Sequence, residues 1–160
     1  MSLAYVALGS NLGEPRQRIL DAMAALGALP RTRVLQRSHL YRTPPWGVLE
    51  QPAFVNAVVQ LETALAPHAL LDALLMLEQA AGRVRGVRNG PRTLDLDLLH
   101  MDDVQLDDAR LSLPHPRIAE RAFVLLPLAD VAPGLVLPGQ GCVRELLAQV
   151  DTQGCERLAE

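Results

Sequence analysis

The chain has 160 residues, 49% of them hydrophobic and 21% charged, with a formal net charge of -3. That length and balance predict one soluble globular domain over residues 1–160 with a core that needs no staples. The acidic balance excludes general nucleic-acid affinity, which requires a basic face, and the absence of lysine among fifteen basic residues excludes a P-loop lysine or a Schiff base.

Residues 3–8 form a short apolar run that ends in Gly9-Ser10-Asn11, a turn signal, and read as a buried strand. Glu14-Pro15 opens a helix whose apolar Ile19, Leu20, Met23, Ala24 and Leu26 recur at helical spacing, and Gly27 and Pro30 close it. Residues 34–41 read as a second strand, and Thr43-Pro44-Pro45-Trp46-Gly47 as a loop. Residues 54–61 alternate as a third strand. Pro67 starts a second helix to about residue 81, stopped by Gly82. A fourth strand follows, so the order strand, helix, strand, strand, helix, strand predicts an α+β, ferredoxin-like βαββαβ core with a mainly antiparallel sheet. Beyond Met101 the expected additions are a turn-rich stretch around Asp102-Asp103 and Asp107-Asp108 and short helices over 117–128 and 143–150. Cys142 and Cys155 lie outside any CxxC pattern and read as reduced thiols. No leader pattern and no apolar run of the ~20 residues a membrane span needs are present, which predicts a cytoplasmic protein with no membrane partner.

The chemistry concentrates in residues 82–98. Arg83, Arg85, Arg88 and Arg92 stand on a segment broken by Gly86, Gly90 and Pro91, and Leu94-Asp95-Leu96-Asp97-Leu98 follows at once. Residues two apart in a strand share a face, so Asp95 and Asp97 point one way and the leucines the other. Aspartate is disfavoured in strands; a pair on one face suits divalent cations that carry phosphate oxygens. Arginine forks beside them suit closure over phosphate, although a charge run is also an ordinary solvated loop. Phe54 and Asn56 share a strand face, and with Phe123 they offer a slot for a flat heterocycle, Asn56 reading donor and acceptor edges. Trp46 reads as a lid residue or a surface anchor, His115 between two prolines as a phosphate contact or a structural residue, and Glu78 as a partner for an arginine. These readings leave three functions open: phosphoryl-type transfer, a two-metal phosphodiesterase, and a non-catalytic ligand-sensing module of ferredoxin-like fold.

Several segments, taken in order, resemble the 6-hydroxymethyl-7,8-dihydropterin pyrophosphokinase family. They are Gly9-Ser10-Asn11-Leu12-Gly13, Tyr41-Arg42-Thr43-Pro44-Pro45, Asn56-Ala57, Gly82-Arg83-Val84-Arg85, Gly90-Pro91-Arg92-Thr93-Leu94-Asp95-Leu96-Asp97, Pro114-His115-Pro116 and Arg121-Ala122-Phe123-Val124-Leu125. The resemblance spans nearly the whole chain. It implies a monomeric folate-pathway enzyme that moves pyrophosphate from ATP to the pterin hydroxymethyl group and releases AMP. By the same resemblance Asp95 and Asp97 hold two Mg²⁺ ions, and Arg83 and Arg92 assist transfer with Arg85 on the same loop. Thr43, Pro44, Trp46, Phe54, Asn56, Asp95 and Phe123 meet the pterin. Arg83, Arg85, Arg92, Leu98, Arg110, Ser112, His115 and Arg121 meet ATP. The chain departs from the family pattern at Asn89, where an aromatic can precede Gly-Pro-Arg, and at Phe54 and Pro116, where tyrosine can occur. Its arginine loop is one residue short.

Overall fold

Three long strands carry the molecule, and their burial follows directly from their composition. In this computed structural model, which describes residues 1–45, 50–82 and 93–159, β1 (Ser2–Ser10) lies between β4 (Phe54–Thr63) and β5 (Asp95–Met101), antiparallel to both. β4 pairs on its other side with β2 (Thr32–Arg37) and then with β3 (Tyr41–Thr43), so the sheet has the strand order of a ferredoxin-like fold. Ala4, Val6 and Leu8 of β1, alternate residues of β4 and Leu94, Leu96 and Leu98 form one core with two helices. These are α1 (Pro15–Gly27) and α2 (Pro67–Ala80), each with proline in its first turn, where the missing N–H costs nothing. α1 buries Ile19, Ala22, Met23 and Leu26, and α2 buries Leu70, Leu74 and Glu78, both at helical spacing.

The opposite face of the sheet, with Tyr5, Ala7, Val58 and Leu99, packs against Ile118, Val124, Leu125 and Leu128 in a second core. Those residues belong to a 3₁₀ turn (Ile118–Glu120) and to α3 (Ala122–Val131), with α4 (Val143–Leu147) beside them. The expected helix over 117–128 is thus two pieces, broken at Arg121, whose extended backbone makes it the N-cap of α3. The expected helix over 143–150 ends earlier, at Leu147.

The expected strand over 34–41 is likewise divided. Residues 38–40 face only residues 57 and 58 of β4, one residue too many for a regular ladder. Ser38 fills the gap with its side chain: Oγ accepts the Val58 N–H at 2.9 Å and donates to the His39 carbonyl at 2.7 Å. A second irregularity lies in β5, where Tyr5 pairs with His100 but Val6 with Leu98. The extra residue, Leu99, gives its carbonyl to the His115 N–H at 2.7 Å. Two small ladders were not expected: β6 (Leu106–Asp107) with β7 (Ser112–Leu113), and β8 (Val136–Leu137) with β9 (Gly141–Cys142). Nor was β10 (Glu156–Arg157), which pairs with β3 at the sheet edge. Cys142 and Cys155 are free thiols. No helix among the described residues is long and apolar enough to cross a membrane.

Candidate active site

Glycine at position 9 organises the sheet surface that faces α3. The ladder places Asn56 opposite Gly9 on one side and Asp95 opposite it on the other, with Tyr41 beyond Asn56. Tyr41, Asn56, Gly9 and Asp95 therefore form one row across four strands. A Cβ on Gly9 would sit 2.9 Å from Asn56 Nδ2, closer than real Cβ contacts. The missing side chain lets the Asn56 amide lie over the middle of the row. That amide is buried and held: Thr43 Oγ1, also buried, donates to Asn56 Oδ1, while Nδ2 reaches the Leu8 carbonyl at 3.5 Å. Tyr41 is fixed by its hydroxyl, which donates to Asp130 of α3 at 2.8 Å; burial, with Asp130 beside it, raises its pKa well above the usual value.

The neighbouring residues of Gly9 hold the loops on either side. Ser10 Oγ donates to the Thr93 carbonyl at 2.5 Å, just before β5 begins. Asn11 Nδ2 donates to Gln51 Oε1 at 2.8 Å and to the Pro52 carbonyl at 3.0 Å, just before β4. Gly9, Ser10 and Asn11 were read from the sequence as a turn; their structural work is to tie together the entrances of β4 and β5. The available signal was that both polar residues directly follow a fully apolar strand.

Asp95 and Asp97 sit half-buried on the same face of β5, as the alternation predicts, with Leu96 and Leu98 turned into the α2 side of the sheet. Glu78 supports the strand from α2. It is only 3% exposed, and its Oε2 accepts the Leu96 N–H at 2.8 Å. This carboxylate thus accepts a strand amide, and the arginines of residues 83–92 expected to pair with it lie outside the described residues. The side chain of Leu98 is core, so any ligand contact at that position falls to its backbone.

Above the carboxylates lie Arg121, Phe123 and His115. Arg121 is half-buried; burial works against its charge, whereas Asp97 and Asp95 favour it, and Nε finds no partner among the described residues. Its guanidinium lies 5.7 Å from the ring centre of Phe123, within cation–π range. His115 is pushed down to about 4 by burial and by the Arg121 cation, with Asp95 opposing, so the imidazole is neutral at pH 7. Its Nδ1 accepts the Arg117 N–H at 3.1 Å, which assigns the ring proton to Nε2, a donor. Phe54 opens β4 opposite Thr43 and shares the face of Asn56.

The remaining expected residues are less closely grouped. Ser112 Oγ donates to Asp107 at 3.1 Å across the β6–β7 ladder, which leads through Pro114 to His115. Arg110 is bound to Asp72 of α2, and no described contact joins it to Asp95 or Asp97. Trp46, Arg83, Arg85, Arg88, Asn89 and Arg92 lie outside the described residues. Among the described residues no group of three or more His, Cys, Asp or Glu is gathered as a metal site. The acidic pair offers two carboxylates and therefore fits a hard cation that takes its other ligands from water and phosphate.

By fold the chain is a ferredoxin-like α+β protein with a polar row, an acidic pair and the Arg121 guanidinium on one sheet face. The family model described as 7,8-dihydro-6-hydroxymethylpterin-pyrophosphokinase (HPPK) matches residues 5–133. Two bacterial relatives are named 2-amino-4-hydroxy-6-hydroxymethyldihydropteridine pyrophosphokinase. That from Pseudomonas aeruginosa is 53% identical over 96% of this chain and 95% of its own. That from Methylorubrum extorquens is 49% identical over 99% of both. A solved structure described as Plasmodium falciparum HPPK-DHPS superposes with a TM-score of 0.74 at 15% identity, covering 98% of this chain and 47% of that one, and supports the fold. The chain belongs to the HPPK family.

Proposed function

We propose that the chain transfers pyrophosphate from ATP to the hydroxymethyl group of 6-hydroxymethyl-7,8-dihydropterin in folate biosynthesis. The observation that carries this reading is the row that sets the Asn56 amide and the Asp95 carboxylate on either side of Gly9. A heterocycle read by Asn56 thereby stands two strand spacings, one on each side of Gly9, from the group that manages phosphate charge. Phe54 and Phe123 supply faces for the ring, and Thr43, Pro44 and Trp46 supply its rim. Asp95 and Asp97 would hold Mg²⁺, two ions in all, which when bound neutralises triphosphate oxygens.

On the nucleotide side, Arg121 and the Nε2–H of neutral His115 supply fixed donors. The backbone of Leu98, Ser112 and Arg110 extends that wall. Arg83, Arg85 and Arg92 close over the phosphates. The pterin hydroxyl oxygen forms a bond to the β-phosphorus as the bond from that phosphorus to the α-bridging oxygen breaks, and AMP leaves with the electron pair. The hydroxyl proton passes to solvent or phosphate. Positioning and charge stabilisation account for the catalysis without a covalent intermediate.

The test is product analysis with ATP, MgCl₂ and the hydroxymethyl pterin. AMP and a pterin diphosphate, formed in equal amounts and only with the metal, are expected. ADP as the product would overturn the reading. Hydrolysis of a phosphodiester would favour a two-metal phosphodiesterase, and tight pterin binding without turnover a sensing module.

A further inference from the structure

The segment after α4 carries no assigned role, yet it reaches the rim of the proposed pterin site. It begins with a tight turn: Asp151 Oδ1 accepts the Gln153 N–H at 2.8 Å, and the Cys155 N–H donates to the Thr152 carbonyl at 3.0 Å. Gly154 completes that turn with φ +85, a left-handed conformation that side chains resist. The same residue is pressed against the rim, because a Cβ there would meet Pro44 Cγ at 3.0 Å. The chain then runs antiparallel beside β3, pairing Glu156 with Arg42 and Arg157 with Tyr41. Its far end is anchored by the Leu158 N–H, which donates to the Leu40 carbonyl at 2.8 Å, and by the Arg16 guanidinium on the Ala159 carbonyl. Leu158 also packs on the core shared with α1 and α2.

β3 has only three residues, and it delivers Tyr41, Thr43 and then Pro44. So short a strand, held on one side alone, sets its end poorly. Between Pro44, Phe123 and this segment lies a cavity of about 530 Å³, walled on the far side by Gln149, Asp151 and Gln153. Pro44 therefore borders open space on that side, and the backbone of Gly154 lies close enough that an added Cβ would press on it.

We propose that residues 151–158 are a strap that positions the Thr43–Pro44 rim for the pterin, with Gly154 as its positioning residue. The proposal rests on the reading of Thr43, Pro44 and Asn56 as the pterin side of the site. A Cβ at Gly154 moves Pro44 and, through it, the hydroxyl of Thr43 that orients Asn56. Nucleotide groups on β5 and ahead of α3 lie beyond the reach of this displacement.

The experiment compares wild type, Gly154→Ala, a chain ending at residue 151, and Asn56→Ala. Pterin affinity and affinity for α,β-methylene-ATP with Mg²⁺, inert because its α–β bridge cannot break, are measured by calorimetry, and kcat and KM by AMP release. Gly154→Ala is expected to weaken pterin binding about tenfold (about 1.4 kcal/mol) and to raise pterin KM alike, with kcat and analogue affinity retained. The shortened chain is expected to show the larger loss of the same kind. Pterin affinity within twofold of wild type in both variants overturns the proposal. Parallel loss of nucleotide affinity, including by failure to fold, also overturns it and makes the segment a general stability element. If Asn56→Ala leaves pterin affinity unchanged, the site reading itself fails, and the strap with it for a different reason.

Discussion

Asn56 is useful only if its amide is presented in one orientation, and three neighbours decide that. Thr43 occupies Oδ1, the Leu8 carbonyl lies under Nδ2, and Gly9 leaves the space in which the amide rests. Gly9→Ala should therefore act as a pterin-site mutation although Gly9 has no side chain to touch a ligand. The added Cβ displaces Nδ2, and pterin KM is expected to rise about tenfold, the cost of one misplaced hydrogen bond. The ATP KM should stay near wild type in the same steady-state assay; a uniform fall in both would point to general misfolding. Asp97→Ala should behave oppositely: turnover lost by at least about 10³-fold, as for removal of a group that stabilises transferring charge, with pterin affinity by calorimetry mostly kept. The residue types of this site could be read from the chain because Asp95, Asp97 and Asn56 break the apolar pattern of their strands. The work of Gly9 and Ser10 could not. A glycine's missing Cβ matters only once the neighbouring strand and its register are known.

At the scale of elements, β5 sits at a sheet edge and carries the acidic pair, so whatever fixes β5 fixes the site. Glu78 does so from a position that the helical pattern of α2 assigns to the core, where a carboxylate is tolerated only if it is paired. Glu78→Ala leaves the Leu96 N–H buried without that partner and should cost about 2 kcal/mol of stability by urea unfolding. Glu78→Gln keeps an acceptor and should lose less. Equal stability of all three proteins would show that the Leu96 contact is incidental. Both long helices were legible from spacing and from a first-turn proline, and the central strands from their apolar runs. The division between β2 and β3 was not, because Ser38 imitates a backbone pairing with its hydroxyl, and periodicity alone reads through such a substitution. β10 was not legible either, since a two-residue ladder in a polar segment leaves no alternation to detect.

Across the whole molecule, the sheet is covered on both faces, and two histidines are enclosed with it. His100, 4% exposed, stacks on Tyr5 with ring centres 6.1 Å apart; Nε2 lies 3.4 Å from Asp102, and Nδ1 has no partner among the described residues. Burial lowers its pKa, against the opposing pull of Asp102 and Asp103. His115, at about 4, is lowered by burial and by Arg121. Above the unfolded value of 6.5 both rings are neutral in either state, and their contribution to stability is complete. As the pH falls below 6.5 the unfolded chain takes up protons that the native chain refuses, so stability declines. The decline ceases for each ring only when the native form is protonated too, near pH 4 for His115. Each histidine can add a slope of up to about 1.4 kcal/mol per pH unit in that window, whose upper part, above about pH 5, lies clear of the usual carboxylate range. The melting temperature should accordingly fall between pH 7 and pH 5. His100→Phe keeps a ring against Tyr5 and removes one of the two titrations, so its melting temperature should fall distinctly less over the same interval. A drop as steep as that of the wild type would mean that His100 accepts its proton without cost, and that the buried row from Gln60 through Tyr5 to His100 opens to water more readily than its packing implies.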